Sequence, residues 1–252
     1  MLKKLFTLAL CVSLLGLPAI ASAANWGDVM LALYRTGSYT SDDITATKEG
    51  DTVTVTGGYL EFDYNGKDAI YEPGTFIFNG VTFDGNYGMV VRPYDGAQID
   101  ITLDEECKFI STVEESKYSG GVFISFVNDG STVNLVNNTT IGDMGVGLRV
   151  GYYRRHKDNK LTVTGSGSLY SSTSVNELGT VLYPDDPTAP LSDELLAICF
   201  ANYDNAYIDQ VATDKDGEHE IKYAIEVLDS NSERVSHTHY RKDENGNWVE
   251  TE

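Results

Sequence analysis

The residues in this sequence that suggest chemistry are four aspartates in a recurring turn, each followed by Gly or Asn. Asp bonds readily to its own backbone in turns, and Gly or Asn accepts a positive φ angle, so these pairs favour tight turns. If the turns stack, their carboxylates also suit Ca²⁺, which binds clustered oxygen ligands. The sequence therefore allows two interpretations: the aspartates only form the turns, or they also form a weak calcium site. The candidate metal ligands are Asp95, Asp129, Asp158 and Asp204.

Arginine and tyrosine side chains lie near the same turns. Aromatic rings cover the C–H faces of sugars, while charged side chains bond to hydroxyl groups, so this pattern predicts a glycan-binding patch. The alternative is ordinary exposed strand residues, because 16 tyrosines in the chain make chance proximity common. The candidate ligand-binding residues are Arg92, Tyr94, Arg149, Tyr152, Tyr153 and Tyr203.

A strand that recurs along the chain must position these turns. Its copies are TVTVTG, TFIFN, QIDITLD, TVNLVN and KLTVTG, and they repeat roughly every 23 to 34 residues. Repeats on this scale are typical of units that bury their apolar face only by stacking on neighbours. We expect the first apolar residues of the copies to face one another across one parallel sheet: Val53, Phe76, Ile99, Val133 and Leu161.

Each repeat contains two further short strands, and the third ends at the aspartate turn. Residues 70–73 are the first predicted third strand, and residues 195–202 are the last. Three strands per repeat, repeated about five times, predict an all-β parallel β-helix in the form of a triangular coil. Phe62, Phe83 and Phe109 should then form a buried ladder. An antiparallel β-sandwich, which also uses short alternating strands, is the alternative fold.

The first part of the chain has the pattern of a secretory signal peptide. Lys3 and Lys4 precede an apolar run, and Ala23 ends a small-residue cleavage site, so residues 1–24 are expected to be removed. We expect the product to be exported, either to the periplasm or to the extracellular space.

The remaining chain is predicted to have three parts. Residues 25–47 contain a helix over 26–36, ended by Gly37, that covers the raw end of the coil. Residues 48–210 form the coil. Residues 211–252 form a C-terminal β-hairpin that caps or extends it.

Charge limits the classes of partner. The chain has 18 Lys and Arg against 38 Asp and Glu, a formal net charge of −20. Such a chain is repelled by nucleic acid and by anionic membrane surfaces. After the signal, no apolar run approaches the roughly 18 residues that a membrane helix needs. The acidity suits Ca²⁺ as a counter-ion, or serves solubility alone, and the sequence predicts no oligomeric state.

Three segments resemble the secreted right-handed parallel β-helix proteins of the pectate-lyase-like superfamily. They are WGDVMLALYRTG at the start, EGDTVTVTG at 49–57 and LTVTGSGSLYSS at 161–172. The likeness is greatest to the non-catalytic bacterial adhesins and carbohydrate-binding proteins of that group. It covers about residues 26–210 and implies a right-handed coil.

The function we expect is a secreted, non-catalytic binding protein that engages extracellular or cell-surface polysaccharide, with Ca²⁺ as a candidate cofactor. A polysaccharide lyase of the same fold is one alternative. A structural adhesin or spacer that binds a protein partner is the other. The sequence lacks the Gly-His-Gly and Gly-Asp-Asp motifs of the related hydrolases, and we assign no catalytic residue.

Overall fold

The computed structural model describes residues 23–41, 43–63, 68–85, 87–110, 120–142, 146–151, 159–171, 195–196, 206–208, 211–214, 221–228, 234–242 and 248–251. Within these residues the protein is mostly β, with one helix and several parallel sheets. This agrees with the predicted all-β class.

The elements follow one another closely along the chain. The first are β1 (Ala24–Asn25), α1 (Trp26–Thr36), β2 (Ser38–Thr40), β3 (Thr45–Glu49), β4 (Thr52–Thr56), β5 (Tyr59–Glu61), β6 (Gly74–Asn79), β7 (Thr82–Asp84), β8 (Tyr87–Val91), β9 (Gln98–Leu103) and β10 (Lys108–Ile110). The others are β11 (Gly120–Ser125), β12 (Thr132–Asn137), β13 (Thr140–Ile141), β14 (Val146–Gly151), β15 (Lys160–Thr164), β16 (Ser168–Ser171), β17 (Leu195–Leu196), β18 (Ala206–Ile208), β19 (Val211–Asp214), β20 (Ile221–Leu228), β21 (Arg234–Lys242) and β22 (Trp248–Thr251).

The longest sheet contains all five copies of the recurring strand. Its eight strands have the order β18-β15-β12-β9-β6-β4-β3-β2, and every pair from β4 to β18 is parallel. A sandwich of antiparallel strands is therefore excluded for this sheet. The antiparallel hairpin β2–β3, which pairs with β4, was not predicted, and it crosses the expected boundary at residue 47 between the helical segment and the coil.

The register of this sheet departs from the expectation at one place. Val53 pairs with Phe76, and Val133 pairs with both Ile99 and Leu161, as expected. Phe76, however, pairs with Ile101, so the expectation that it faces Ile99 is wrong. A shift of two residues leaves the same side chains on the inner face, so the hydrophobic pattern does not distinguish the two registers.

The chain passes between sheets with a regular period. From β6 to β19, every parallel pair joins strands that are three apart in chain order, as in β7–β10, β8–β11 and β13–β16. The pairs β4–β6 and β5–β7 are only two apart. The predicted third strand at 70–73 explains this difference, because it is reduced to a single parallel bridge between Ile70 and Val91.

Aromatic and aliphatic side chains from successive strands fill the interior. Phe62, Phe83 and Phe109 form the predicted ladder, with ring centroids 6.3 Å and then 4.7 Å apart. Cys107 is also buried, and its Sγ donates to the carbonyl oxygen of Phe78 at 3.3 Å. Burial raises the pKa of the Cys107 thiol to about 12, so it stays protonated at neutral pH.

The C-terminal strands include one departure from the predicted coil. β20 and β21 pair antiparallel and β22 extends them. Leu195 and Leu196, the described residues of the last predicted third strand, pair with β20 rather than with β14. The β-bulge between Val227 and Leu228 shifts the register at the end of β20.

Candidate functional site

A groove lies beside α1, next to the segment around Ile70 and the end of β8. We call it the aromatic groove, and its volume is about 290 Å³. Glu72 lies in it among aromatic and apolar side chains. The lining residues used below are Trp26, Met30, Tyr34, Tyr71, Glu72 and Tyr94.

The start of α1 is joined to the opposite side of the groove by polar contacts. The Asn25 side chain caps the helix, because its Oδ1 accepts from the backbone N–H groups of Gly27 at 2.9 Å and Asp28 at 3.4 Å. The Nδ2 atom of Asn25 donates to Asp68 at 2.8 Å. One amide therefore both starts the helix and holds it beside the segment that follows Asp68.

Trp26 forms the buried base of the groove. It is 1% exposed, and its ring stacks on Phe62 with centroids 5.1 Å apart. Its indole N–H donates to the carbonyl oxygen of Ala69 at 3.3 Å. Trp26, Met30 and Tyr34 are spaced by four residues, so they follow one face of the helix. The same helix buries Val29 and Leu33.

A short backbone contact brings the tyrosines of the other side together. The N–H of Ile70 donates to the carbonyl oxygen of Val90 at 2.9 Å, and the N–H of Arg92 donates to the carbonyl oxygen of Ile70 at 2.8 Å. These two bonds place Tyr71 next to Tyr94. Their ring centroids are 6.0 Å apart and their planes are inclined by 53°.

The exposed end of the groove combines hydroxyl groups with a carboxylate. Tyr34 is 52% exposed and Tyr94 is 38% exposed, so both rings are accessible. The Tyr34 hydroxyl donates to Oε2 of Glu72. Partial burial, this hydrogen bond and the negative charge of Glu72 raise the pKa of Tyr34 to about 12. Tyr34 is therefore a neutral donor at physiological pH, and Glu72 is the acceptor.

The structure does not bring the predicted glycan-binding residues together at one site. Tyr94 lines the aromatic groove, and Arg92 lies two residues before it at the end of β8. Arg149 is on β14, where it aligns through Phe123 with Val90 rather than with Arg92. The two arginines therefore do not share one register position. Tyr152, Tyr153 and Tyr203 lie outside the described residues.

Two of the predicted metal ligands occupy the expected turns. Asp95 has a φ of 56°, and its Oδ1 accepts from the Nδ2 of Asn128 at 2.9 Å, which joins the turn after β8 to the turn after β11. Asp129 follows Asn128 in that second turn. Asp158 and Asp204 lie outside the described residues. In the part of the chain that the structure describes, no three acidic, His or Cys side chains form a metal-binding group.

A second cavity, of about 450 Å³, lies beside β10, β13 and β16. Small polar side chains line much of it. Thr140 and Ser168 are joined there by a hydroxyl–hydroxyl contact of 3.1 Å, and Asn138 accepts from the backbone and hydroxyl of Ser166 at 3.2 and 3.3 Å. These hydrogen bonds join neighbouring strands to one another. The described residues that line this cavity do not include exposed aromatic rings like those of the aromatic groove.

Comparison with known proteins does not assign a family. No family model, curated protein or solved structure matches the chain. Among the described residues, no helix is both long and apolar enough to cross a membrane.

Sequence reasoning missed three of the groove residues. Tyr34 was predicted only as part of the helix over 26–36, and Tyr71 and Glu72 only as part of the third strand at 70–73. A spacing of four residues from Trp26 through Met30 to Tyr34 was the signal available. It did not reveal which segment faces that side of the helix.

Proposed function

We propose that this protein is a secreted, non-catalytic polysaccharide-binding protein whose glycan site is the aromatic groove. The observation behind this proposal is that Tyr34, Tyr71, Tyr94 and Glu72 line one groove, where Tyr34 is hydrogen-bonded to Glu72 and the rings of Tyr71 and Tyr94 are in contact. Tyrosine faces cover the C–H surfaces of sugar rings, and a carboxylate accepts hydrogen bonds from sugar hydroxyls. The groove is open at the surface, so a chain of sugars can enter and leave.

We propose a right-handed parallel β-helix as the scaffold. The three-strand period of the parallel pairs and the stacked phenylalanines support this winding. In such a scaffold α1 covers the first turn of the coil, and its exposed face becomes one side of the binding site. The likeness to the pectate-lyase-like superfamily and the signal-peptide pattern of residues 1–24 support the fold and the export.

Binding to a glycan array tests the site directly. Tyr94→Ala removes one exposed ring, and a ring contact of this kind is worth about 0.5–1.5 kcal/mol, so affinity should fall about twofold to twelvefold. Tyr59→Ala is the matched control, because Tyr59 is also exposed, at 41%, but lies on β5 outside the groove. Equal losses for both variants would contradict the groove as the site.

The same preparation distinguishes the other functional classes. Incubation with each bound polysaccharide, followed by ultraviolet detection of unsaturated products, tests for a lyase. Binding without products supports the proposal, and turnover supports the lyase. The absence of both glycan binding and unsaturated products supports a structural adhesin or spacer. Repeating the array with a chelator tests whether Ca²⁺ at Asp95, Asp129, Asp158 and Asp204 assists binding.

A further inference from the structure

We infer that the aromatic groove selects glycans with protonated amino groups, such as an amino-sugar polymer that has lost acetyl groups. This inference rests on the proposed glycan-binding function and specifies its substrate class. It follows from the combination of tyrosine faces with one exposed carboxylate in a strongly acidic chain.

The carboxylate of Glu72 has capacity for a further donor. Its Oε2 accepts from the Tyr34 hydroxyl, whereas a carboxylate offers about four acceptor positions over its two oxygens. A hydrogen bond from an ammonium group to a carboxylate is roughly twice as strong as one between neutral groups. An amino sugar therefore gains more from Glu72 than a neutral sugar whose hydroxyl occupies the same place.

The tyrosine rings also favour a cation. The face of an aromatic ring is electrostatically negative and attracts ammonium groups within about 6 Å of its centroid. The ring of Tyr34 already has such a contact, because Nζ of Lys48 lies 5.8 Å from the centroid of that ring. Tyr71 and Tyr94 provide two further rings on the other side of the groove. A ligand ammonium near Glu72 would thus meet ring faces as well as a carboxylate.

The surrounding charges favour the same ligand class. Among the described residues that line the groove, Glu72 carries the only charge. Asp68 lies beside Gly27 at the start of the helix, and Nζ of Lys48 lies over the Tyr34 ring. Nζ of Lys48 also donates to the carbonyl oxygen of Gly50 at 2.9 Å. The chain as a whole has a net charge of −20, which attracts cationic polymers and repels uronic-acid polymers at longer range.

Calorimetric titration of the exported protein with two oligosaccharides of equal length tests this selectivity. One is a glucosamine oligomer, at a pH where its amines are protonated, and the other is its fully N-acetylated form. We expect the wild type to bind the glucosamine oligomer about fivefold more tightly, the factor for one favourable exposed ion pair. Glu72→Gln keeps an acceptor for Tyr34 but removes the charge, so most of the fivefold preference should be lost, and only the contribution of the ring faces and of the net charge should remain.

Two controls separate the groove from general electrostatics. Glu105→Gln makes the same charge change in the turn between β9 and β10, outside the groove, and should leave the fivefold preference in place. Choline chloride is titrated as a competitor, because quaternary ammonium groups also bind aromatic rings. Release of the glucosamine oligomer by choline supports ammonium recognition in the groove.

Several results would overturn the inference. Equal binding of the two oligomers by the wild type would refute the selectivity while leaving glycan binding intact. An unchanged preference in Glu72→Gln, or its loss in Glu105→Gln, would show that general charge causes it. Binding of choline without binding of the glucosamine oligomer would refute the amino-sugar assignment. Failure to bind any glycan would refute the proposed function as well.

Discussion

Replacing Phe83 by alanine removes the central ring of the stacked interior. The side chain is fully buried, and its ring centroid lies 4.7 Å from that of Phe109, 5.3 Å from Phe78 and 6.3 Å from Phe62. The substitution therefore deletes contacts to rings on three sides. It also tests whether the inner face of β7 is assigned correctly.

The expected cost follows from how little the surroundings can collapse. Truncation of a buried Phe to Ala destabilises proteins by about 3–5 kcal/mol, and the larger values occur where the cavity stays open. Leu60 and Phe109 pair with Phe83 on either side, and the backbone hydrogen bonds of β5, β7 and β10 hold these strands in place. We therefore expect about 4–5 kcal/mol. At about 2–4 °C per kcal/mol for a chain of this size, Tm should fall by about 8–20 °C.

Urea unfolding followed by circular dichroism measures this cost, and thermal unfolding checks it. Phe83→Leu is the graded control, because it keeps an apolar side chain that fills part of the space and should cost clearly less than Phe83→Ala. Tyr59→Ala removes an exposed aromatic ring on the neighbouring strand and should change stability by less than about 1 kcal/mol. A midpoint for Phe83→Ala that equals the wild type would refute the inward assignment of β7.

Three further predictions concern a glycine, the buried thiol and the acidic turns. Gly165→Ala should destabilise the protein by at least about 2 kcal/mol, because φ is +110° and the added Cβ would lie 2.2 Å from the carbonyl oxygen of Asn137. Gly130→Ala is the control: φ is +78° and nothing lies within 4 Å of the added Cβ, so this variant should lose less stability in the same unfolding assay. Alkylation of Cys107 should be undetectable in the folded protein at pH 8 and rapid in urea. Its contribution to stability should be constant below its ordinary pKa of 9.0 and fall as pH rises towards about 12, since only the unfolded thiol ionises in that window, and Cys107→Ala should remove this part of the alkaline slope. If the acidic turns bind Ca²⁺, a hundredfold excess over Kd should stabilise the wild type by about 2.7 kcal/mol, and Asp129→Asn should abolish the gain in a thermal scan. If millimolar Ca²⁺ does not shift Tm, the aspartates serve only to form the turns.

The recurring strand shows how far the sequence pattern reaches. Alternation with period two determines which side chains of β4, β6, β9, β12 and β15 face inward, because a strand directs successive side chains to opposite faces. Parallel pairing followed from the order in which the strand triplets recur. The register between β6 and β9 did not follow, because sliding by two residues keeps Phe76, Ile99 and Ile101 on the inner face.

The aromatic groove shows the complementary limit. Helical spacing predicts α1 and Gly37 predicts its end, whereas the cap that Asn25 forms at its start is seen only in the structure. Tyr94 was selected from its place before a turn. Nothing local to Tyr34 or Glu72 indicates that they meet, since they are 38 residues apart in the chain.

The sequence by itself determined the elements whose causes are local: the repeated strands, the inward phase of their side chains, the helix that ends at Gly37 and the turns at Asp95 and Asp129. These depend on backbone preferences and on periodicity within a few residues. Only the tertiary structure decided the register of β6 on β9, the pairing of β2 and β3 with the long sheet, and the meeting of Tyr34 with Glu72. Such contacts join distant segments, and their geometry depends on how helix and strands pack against a shared core.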